Sequence, residues 1–310
     1  MNSVDQTPIV IAGPTASGKS ALAVALAHAL DGVVINADSM QVYRELRILT
    51  ARPSVAEEAA VPHRLYGVLS VAERCSAGRW RVMALDAIAA AQTARRRPIL
   101  VGGTGLYLKT LLHGIAPIPD VPDAVRRRVR TLHEELGSAG FHAALASRDP
   151  QSAARLALGD TQRLLRAYEV VEATGQPLAA HLAVPPTQPG IAAITLVLSP
   201  PRAELVRAVD RRCAAMLDNG ALDEVAALMR LGLDPTLPAV KAVGVPGLAR
   251  HLAGEITRAE ALRLFQQATR QYAKRQVTWF RHQLIGARKL DAQFSESLLP
   301  EIFRFIRDRR

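Results

Sequence analysis

The stretch that decides the fold is Gly13-Pro14-Thr15-Ala16-Ser17-Gly18-Lys19-Ser20, which fits the pattern G-x-x-x-x-G-K-[ST] at every position. An apolar run of buried-strand type precedes it at residues 8–12, and a helix-forming segment follows it at residues 21–30. Gly13 and Gly18 let the backbone curl so that several N–H groups point at one anion, and the helix start adds its positive end. We therefore predict a phosphate-binding loop between a strand and a helix.

Two side chains of this loop suit a phosphorylated ligand. Lys19 can reach the outer phosphate oxygens, and the hydroxyl of Ser20 can ligate Mg²⁺. A chance glycine turn is the alternative, and the matching strand and helix on its two sides argue against it. The pattern indicates a bound phosphate or diphosphate and leaves open whether ATP is that ligand.

Further apolar runs of strand type lie at residues 33–35, 65–69, 98–101 and 191–198. Helix-forming segments separate most of them, and strands that alternate with helices indicate a parallel sheet covered by helices. We therefore predict an α/β fold with a P-loop NTPase-like parallel sheet core and an all-helical insertion domain.

Two proline clusters, at residues 117–122 and 185–189, mark the ends of that insertion. Every periodic run between them is helix-forming, and proline stiffens chain crossings of the kind found at domain boundaries. The predicted organisation is a P-loop core in two parts, a helical insertion, and a tail: residues 1–116, 117–190, 191–290 (ending in a basic helix) and 291–310.

The composition excludes several classes of protein. Aromatic residues make up only 4% of the 310 residues, which argues against an all-β sandwich or barrel. Cys75 and Cys213 stand far apart, so neither a disulfide framework nor a cysteine-type zinc site is available. No basic segment opens residues 1–5, and no apolar run is long enough to cross a bilayer. We expect a cytoplasmic protein that has no contact with a membrane.

The net charge of +11 indicates a polyanionic partner such as nucleic acid. Coding bias in an alanine-rich chain is an alternative source, because 34 of the basic residues are Arg and only 5 are Lys. Beyond residue 190, however, 19 basic residues face 12 acidic ones, a net charge of +7. This uneven distribution favours a phosphate- or RNA-facing surface in the last third of the chain.

One segment of that last third, residues 261–290, contains seven basic residues and no Asp or Glu. Helical spacing groups Tyr272, Arg275 and Trp279, and it places Lys274 on a neighbouring basic stripe. Basic groups with interleaved aromatic rings suit a phosphate backbone and unstacked bases. The aromatic residues by themselves are more simply explained as packing on the sheet. We predict that Lys274 and Arg275 contact RNA.

Asp38 is the only carboxylate that is well placed after an early strand. It could assist a metal ion or act as a general base, and the alternative is a cap on the following turn. A hydrolysing P-loop enzyme normally carries an Asp or Glu after a later strand, but here Gly102-Gly103-Thr104-Gly105 occupies that place. This stretch predicts a second loop of backbone donors with one hydroxyl.

Taken together, these features resemble the tRNA dimethylallyltransferases, also called tRNA isopentenyltransferases. The resemblance covers nearly the whole chain, including Arg212, Met216 and Val243-Gly244. Its main stretches are the phosphate loop and residues 35–39, 62–65, 98–107, 162–170 and 269–281, the last reading Thr-Arg-Gln-Tyr-Ala-Lys-Arg-Gln-Val-Thr-Trp-Phe-Arg.

The resemblance implies a function and partners. Members of this family transfer a dimethylallyl group from dimethylallyl diphosphate to N6 of adenosine 37, beside the anticodon of certain tRNAs. They use Mg²⁺ and release pyrophosphate, and their helical insertion grips the anticodon stem. The implied partners are therefore tRNA and dimethylallyl diphosphate, and we expect a monomer.

The resemblance also implies roles for individual residues. Asp38 aligns with the general base, Arg212 and the loop residues Thr15 to Ser20 align with diphosphate binders, and Thr104 joins Asp38 and Arg212 as a catalytic position. The positions that align with tRNA contacts are Asp38, Ser39, Met40, Gln41, Thr104, Arg126, Gln162, Arg163, Leu164, Leu165, Arg166, Lys241, Ala242, Val243, Gly244, Val245 and Pro246.

Two stretches depart from the family pattern. Residues 49–53 read Leu-Thr-Ala-Arg-Pro where Gly-Thr-Ala-Lys-Pro is usual, and Val245-Pro246 stand where an aromatic and a basic residue are usual. Three other functions stay open at this point: a small-molecule P-loop kinase, an RNA-binding P-loop module without transfer chemistry, and a prenyltransferase that acts on free nucleotides.

Overall fold

The computed structural model describes residues 6–186 and 188–309. The structure does not describe residues 1–5, Thr187 and Arg310. Three predictions fall on these residues and therefore lie outside the described part of the chain: the non-basic N-terminal segment, one position of the second proline cluster and both chain-end boundaries. The chain divides into two compact units. The core unit comprises residues up to Leu112 and from Ile191 onward, and the helical unit comprises residues 113–190.

The described residues contain the following strands: β1 Ile9–Ala12, β2 Gly32–Asn36, β3 His63–Arg64, β4 Arg97–Gly102, β5 Ile194–Leu198 and β6 Arg288–Leu290. The helices are α1 Lys19–Ala29, α2 Val55–Ala60, α3 Ala77–Thr93, α4 Gly105–His113, α5 Asp123–Arg148, α6 Pro150–Arg155, α7 Thr161–Thr174, α8 Leu178–Ala183, α9 Arg202–Asp218, α10 Ala221–Arg230, α11 Val245–Leu252, α12 Arg258–Gln283 and α13 Leu299–Arg307. Within the described ranges, no helix is both long and apolar enough to span a membrane.

The six strands form one parallel sheet in the order β3-β2-β4-β1-β5-β6. Every residue of β1, β2 and β4 is buried, which explains their continuous apolar character in the sequence. The sheet confirms the predicted α/β class. Because β1, β2 and β4 are neighbours that run in one direction, the segments that follow them meet at one edge of the sheet.

Side chains alternate between the two faces of this sheet. Val10 and Leu100 belong to the hydrophobic cluster on one face, and Ile9, Ile11 and Ile99 belong to the cluster on the other. Helices cover both faces, so the central strands are shielded from water and their carboxyl ends form a rigid platform.

Two strands differ from the sequence-based expectation. The run at residues 65–69 is not a strand: β3 ends just before it, at His63–Arg64, and within the run Leu69 forms an isolated bridge to Tyr43. Leu65 ends the strand because its φ of 65° is left-handed and its carbonyl accepts a hydrogen bond from Asn36. Strand β6 was not predicted, because Arg288–Leu290 is a short edge strand without an alternating pattern.

The helical unit contains α5 to α8, and its described residues form no strand. Gly137, with φ of 64°, interrupts α5 and kinks the helix at that position. The unit begins at His113 rather than at residue 117, and Ile118 and Val121 pack into its own hydrophobic cluster.

Residues 291–309 are not a separate tail, which corrects the predicted organisation. Helix α13 buries Ile302 and Ile306, spaced by one turn, against the sheet cluster of the core unit. Upstream of it, the Phe294 N–H donates to the Ser17 carbonyl at 3.1 Å. The C-terminal segment therefore supports the phosphate loop.

Gly102, the last residue of β4, is predicted to tolerate no side chain. A Cβ there would lie 2.1 Å from the carbonyl oxygen of Ala37, which is backbone and cannot move aside easily. Gly102→Ala should lower the free energy of unfolding by about 1–3 kcal/mol or more. Urea unfolding followed by tryptophan fluorescence measures this. Gly159→Ala is the control, since no atom lies within 4 Å of its added Cβ; equal midpoints for the two variants would contradict the close approach.

Candidate active site

The phosphate loop connects β1 to α1 in a tightly curled conformation. Ala16 and Gly18 have φ values of 66° and 86°, both left-handed. A Cβ on Gly13 would lie 2.8 Å from Ser17 Oγ and 3.1 Å from the Leu198 carbonyl oxygen. The loop thus needs glycine at both pattern positions, and it holds Ala16 in a strained region that is typical of functional loops.

Two buried polar groups beside the loop lack a partner. Ser17 Oγ and Arg212 Nε have no hydrogen bond within the described part of the chain. Arg212 also donates from Nη2 to the hydroxyl of Thr15. Unpaired buried donors are costly, and an anion held by the loop would satisfy them.

Lys19 lies in the same polar region. Its ammonium group donates to the Pro14 carbonyl at 3.4 Å. Burial lowers the pKa of Lys19 to about 8, Asp38 opposes this shift, and Arg212 adds to it. The lysine is therefore a cation with few stabilising partners, which favours a bound anion.

Asp38 follows β2 at the shared edge of the sheet. Its backbone is held by Asn36, whose side chain accepts from the Asp38 N–H at 2.8 Å and donates to the Asp38 and Leu65 carbonyls at 3.0 Å each. One carboxylate oxygen, Oδ1, accepts the Met40 N–H at 2.9 Å. Asp38 therefore does cap the following turn, while Oδ2 has no hydrogen bond among residues 6–186 and 188–309.

Thr104 ties the end of β4 to the Asp38 turn. Its Oγ1 accepts the Ser39 N–H at 2.9 Å and donates to Ser39 Oγ at 3.2 Å. Burial and the charge of Asp38 raise the pKa of Tyr272. A hydrogen bond with Thr104 lowers it and so opposes part of this shift. Thr104 thus lies between the carboxylate turn and helix α12.

The Gly102–Gly105 stretch is a packing surface rather than the predicted loop of backbone donors. The Gly103 carbonyl accepts from Gln276 Nε2 at 2.9 Å, and the Thr104 N–H donates to the Ala37 carbonyl at 3.3 Å. A Cβ on Gly105 would lie 2.4 Å from the Trp279 ring. The glycines are needed because α12 lies directly on this strand end.

Gln276 joins this strand end to the phosphate loop. It is buried, and besides its bond to Gly103 its Oε1 accepts the Thr15 N–H at 2.8 Å. Sequence reasoning did not single out this residue, because its two partners are distant in the sequence.

A cavity of about 300 Å³ lies beside these groups in the core unit. Thr15 and Arg212 line the cavity on the side of the phosphate loop. Its other polar lining residues are Asp38, Lys241, Tyr272 and Arg275. Its remaining lining is largely apolar: Ser39, Met40, Leu49, Thr50, Cys213, Met216, Pro238, Ala242, Val243, Phe265 and Thr269. The cavity can hold a molecule with an anionic end, an apolar body and a proton to be removed.

Sequence analysis gave no role to Leu49 and Phe265 of the apolar lining, although helical periodicity carries a signal for part of it. Met216 follows Arg212 by one turn of α9, so both lie on one face. Phe265, Thr269 and Tyr272 recur at i, i+4 and i+7 on α12. Leu49 and Thr50 lie in an irregular segment, where no periodicity points to a site.

The predicted RNA-contact positions of the core unit fall into two groups. Ser39, Met40, Lys241, Ala242, Val243 and Arg275 line the cavity, whereas Gln41, Val245, Pro246 and Lys274 do not. Val245 is buried, and Gly244 begins α11 with φ of 99° under the Phe265 ring. Lys274 and Pro246 are exposed.

Residues 261–290, the segment without Asp or Glu, expose fewer unpaired cations in the folded protein than their sequence indicates. Three of its arginines pair with acids at N···O distances of 2.6 Å: Arg263 with Glu260, Arg270 with Asp210, and Arg288 with Glu301. Lys274, Arg275 and Arg281 are exposed and form no ion pair among the residues described. The exposed cations on α12 are therefore the ones that can meet an external phosphate.

In the helical unit, the predicted RNA-contact positions lie mainly at the start of α7. Arg163 and Arg166 approach Asp160 and Glu169 at 3.2 and 4.0 Å. Gln162 is exposed and Leu165 is half-buried. The Leu164 side chain is fully buried in the hydrophobic cluster, so it supports the helix and presents no surface to RNA.

Arg126 lies on α5 of the helical unit. Its Nε donates to the Val121 carbonyl at 3.1 Å and lies 3.9 Å from the Asp123 carboxylate. Burial lowers the pKa of the nearby Arg166, and the charge of Arg126 adds to this effect. The two arginines therefore lie near each other, and each has an acidic neighbour: Asp123 beside Arg126 and Glu169 beside Arg166.

Family models and curated proteins show what this chain is similar to. A model described as IPP transferase matches residues 41–283, and one described as isopentenyl transferase matches residues 8–71. The chain is 58% identical over 287 residues to the tRNA dimethylallyltransferase of Rhodospirillum centenum, a match that covers 91% of each chain. It is 55% identical over 304 residues to that of Rhodospirillum rubrum, covering 96% of this chain and 93% of the relative.

Solved structures give the same picture. The tRNA isopentenylpyrophosphate transferase of Bacillus halodurans superposes with a TM-score of 0.70 at 30% identity, covering 98% of this chain and 96% of that one. A eukaryotic dimethylallyltransferase, seen acting on tRNA, superposes with a TM-score of 0.81 at 27% identity, covering 97% and 78%.

Proposed function

This chain belongs to the tRNA dimethylallyltransferase family, and from that premise we propose that it transfers a dimethylallyl group from dimethylallyl diphosphate to N6 of adenosine 37 in tRNA. The observation that carries the proposal is the cavity that places the Asp38 carboxylate beside Thr15, Arg212 and an apolar wall. These are the three environments that a base, a diphosphate and a prenyl chain require.

The phosphate loop would bind the diphosphate of the donor. The loop N–H groups, the Lys19 ammonium and the Arg212 guanidinium can donate to its oxygens. When the bond between the allylic carbon and oxygen breaks, its electron pair stays with pyrophosphate, whose negative charge rises. Buried cations and aligned N–H groups stabilise that charge more in the transition state than before it.

Asp38 would act as the general base. The exocyclic N6 of adenine is a poor nucleophile because its lone pair is delocalised into the ring. As N6 forms its bond to the allylic carbon, the proton it loses passes to the carboxylate, whose Oδ2 is uncommitted. The Met40 N–H holds the carboxylate, and the Asn36 side chain holds the Asp38 backbone, in place for that transfer. The target base must leave its stack to enter the cavity.

The site is suited to Mg²⁺ bound mainly through the substrate. Among the described residues, no three His, Cys, Asp or Glu side chains cluster as a metal centre. Mg²⁺ usually binds through one or two protein oxygens together with substrate phosphates. The Ser20 hydroxyl, at the start of α1 after the phosphate loop, would supply one such oxygen. When bound, the ion would neutralise part of the charge on the diphosphate.

The exposed basic residues would bind the tRNA. In the core unit, Lys241 and Arg275 line the cavity. Lys274 precedes Arg275 on α12 and is exposed. In the helical unit, Arg126, Gln162, Arg163, Leu165 and Arg166 are the positions we propose for the anticodon stem. The monomeric state and the cytoplasmic location stay predictions.

The test is a prenylation assay. Purified protein, dimethylallyl diphosphate and Mg²⁺ are incubated with an anticodon stem-loop that carries adenosines 36 and 37, and mass spectrometry follows the RNA. We expect one dimethylallyl group per stem-loop and an equal amount of pyrophosphate. A stem-loop with guanosine at position 37 should stay unmodified. An unmodified A37 stem-loop would refute the proposal, and ADP formation from added ATP would favour a kinase instead.

The lowered pKa of Lys19 predicts a pH dependence. In the free protein Lys19, which faces the charged groups Asp38 and Arg212, loses its charge as the pH rises through its pKa of about 8. The value of kcat/KM for the donor should therefore fall about tenfold per pH unit above that point. Lys19→Arg should have a lower kcat/KM that stays constant from about pH 7.5 to about pH 9.5. Arginine keeps its charge over this range because its pKa lies far above it. The same fall in both proteins would assign the titration to another group.

A further inference from the structure

The irregular segment at residues 47–51 contributes Leu49 and Thr50 to the cavity wall. It forms a single helix-like turn: the Ala51 N–H donates to the Ile48 carbonyl at 3.0 Å, and the Thr50 hydroxyl donates to the Leu46 carbonyl at 2.5 Å. Ala51 is left-handed, with φ of 52°. One isolated turn is too short to be stable by itself, so its position depends on groups outside it.

Glu224 supplies the main outside contact. Its carboxylate accepts three consecutive backbone N–H groups, those of Arg47 and Ile48 at 2.7 Å and that of Leu49 at 2.9 Å. Charge-assisted bonds of this kind are about twice as strong as neutral ones. Glu224 lies in the first turn of α10 and is half-buried. A carboxylate from a distant helix therefore caps the turn that forms part of the cavity wall.

The other end of the turn is held as well. Gln41 Nε2 donates to the Thr50 carbonyl at 2.7 Å and to the Ala51 carbonyl at 3.1 Å. Ile48 packs at the start of α10, where its Cδ1 lies 3.4 Å from the position that a Cβ on Gly220 would take. The turn is thus held by Glu224 on its amide side and by Gln41 on its carbonyl side.

The donor's apolar chain would extend toward this turn. Its diphosphate end is assigned to Thr15 and Arg212, and Met216 lies one turn further along the same face of α9. Leu49, Met216 and Phe265 share the apolar lining and belong to one hydrophobic cluster. A prenyl chain bound there meets Leu49, and the place of Leu49 is set by the turn.

We propose that Glu224 is a positioning residue for donor selection: by capping the turn at residues 47–51, it holds Leu49 where that side chain limits the donor to a five-carbon chain. This inference rests on the proposed function. Glu224 touches neither substrate in this assignment and acts through Leu49.

The test compares two donors on the same enzyme sample. The values of kcat/KM for dimethylallyl and geranyl diphosphate, with five and ten carbons, are measured at saturating stem-loop and Mg²⁺. Because both values scale with the amount of active enzyme, their ratio does not depend on how much of a variant is folded. We expect wild type to favour the five-carbon donor strongly, and Glu224→Gln to reduce that preference at least tenfold.

Two further variants complete the test. Leu49→Ala should reduce the preference to a similar extent while leaving the three bonds of Glu224 intact, so it decides the matter if Glu224→Gln does not fold. Asp223→Asn is the matched control, because Asp223 is an exposed acid on the same turn of α10. It should keep the wild-type preference.

The possible failures are distinguishable. An unchanged donor ratio in both Glu224→Gln and Leu49→Ala, with wild type active, overturns this inference and leaves the proposed function standing. A raised KM for the stem-loop with an unchanged donor ratio also overturns it, because the turn would then face the RNA. No transfer by wild type from dimethylallyl diphosphate refutes the proposed function itself.

Discussion

Asp38→Asn should lower kcat for prenyl transfer by about 10²- to 10⁴-fold, the usual contribution of a positioned general base. The amide keeps the size of the side chain and an oxygen to accept the Met40 N–H, so the turn should persist. What it loses is the ability to take the N6 proton. The affinity for the stem-loop, measured by filter binding, should stay close to that of wild type.

The control for this variant is Asp86→Asn, because Asp86 is exposed on α3 and lies outside the cavity lining. It should transfer the prenyl group at the wild-type rate in single-turnover measurements. If Asp38→Asn instead lost stem-loop binding and kept its single-turnover rate, Asp38 would be a recognition residue and the general base would have to be sought elsewhere.

Arg212→Met should lower kcat/KM for the donor by about 10²- to 10³-fold, the cost of removing one preorganised group at a developing anion. The side chain stays long and apolar, but the contact with the Thr15 hydroxyl and the buried positive charge disappear. Inhibition by pyrophosphate should weaken in parallel, because pyrophosphate occupies the same groups as a product.

Arg211→Met is the matched control for this second variant. Arg211 is the adjacent residue on α9, but it is exposed and does not line the cavity. Steady-state kinetics with varied donor should therefore give nearly wild-type values for it. Equal losses in both variants would mean that the effect comes from the overall charge of α9 and not from the diphosphate site.

Local patterns predicted much of the fold. The phosphate loop was identified because its glycines, its strand and its helix are contiguous. The basic helix predicted in the second part of the core is α12 at Arg258–Gln283, whose periodicity runs unbroken. Strand order was not predictable in this way. It depends on which apolar runs pair, and β6 in particular has three residues and no pattern of its own.

The candidate site was likewise predictable only where its residues belong to local sequence patterns. Thr15, Asp38 and Arg212 were proposed before the structure, and they do line one cavity. Leu49 and Phe265 of the apolar half of that cavity were given no role, because they look like ordinary core residues in the sequence. The basic character of residues 261–290 was overestimated in part, since three of its arginines pair with acids outside that segment: Glu260, Asp210 and Glu301.

The amino-acid sequence by itself determined the chemistry that this protein carries: an anion loop, a carboxylate after a neighbouring strand, and an excess of cations in its last third. Each is a short-range pattern, because a loop, a strand end and a helix face are built from adjacent residues. Only the tertiary structure decided how these parts meet. Gln276 bridges Thr15 and Gly103, and Glu224 caps the turn that holds Leu49, through contacts between residues far apart in the chain. Such contacts depend on the packing of helices on the sheet, which local sequence patterns do not encode.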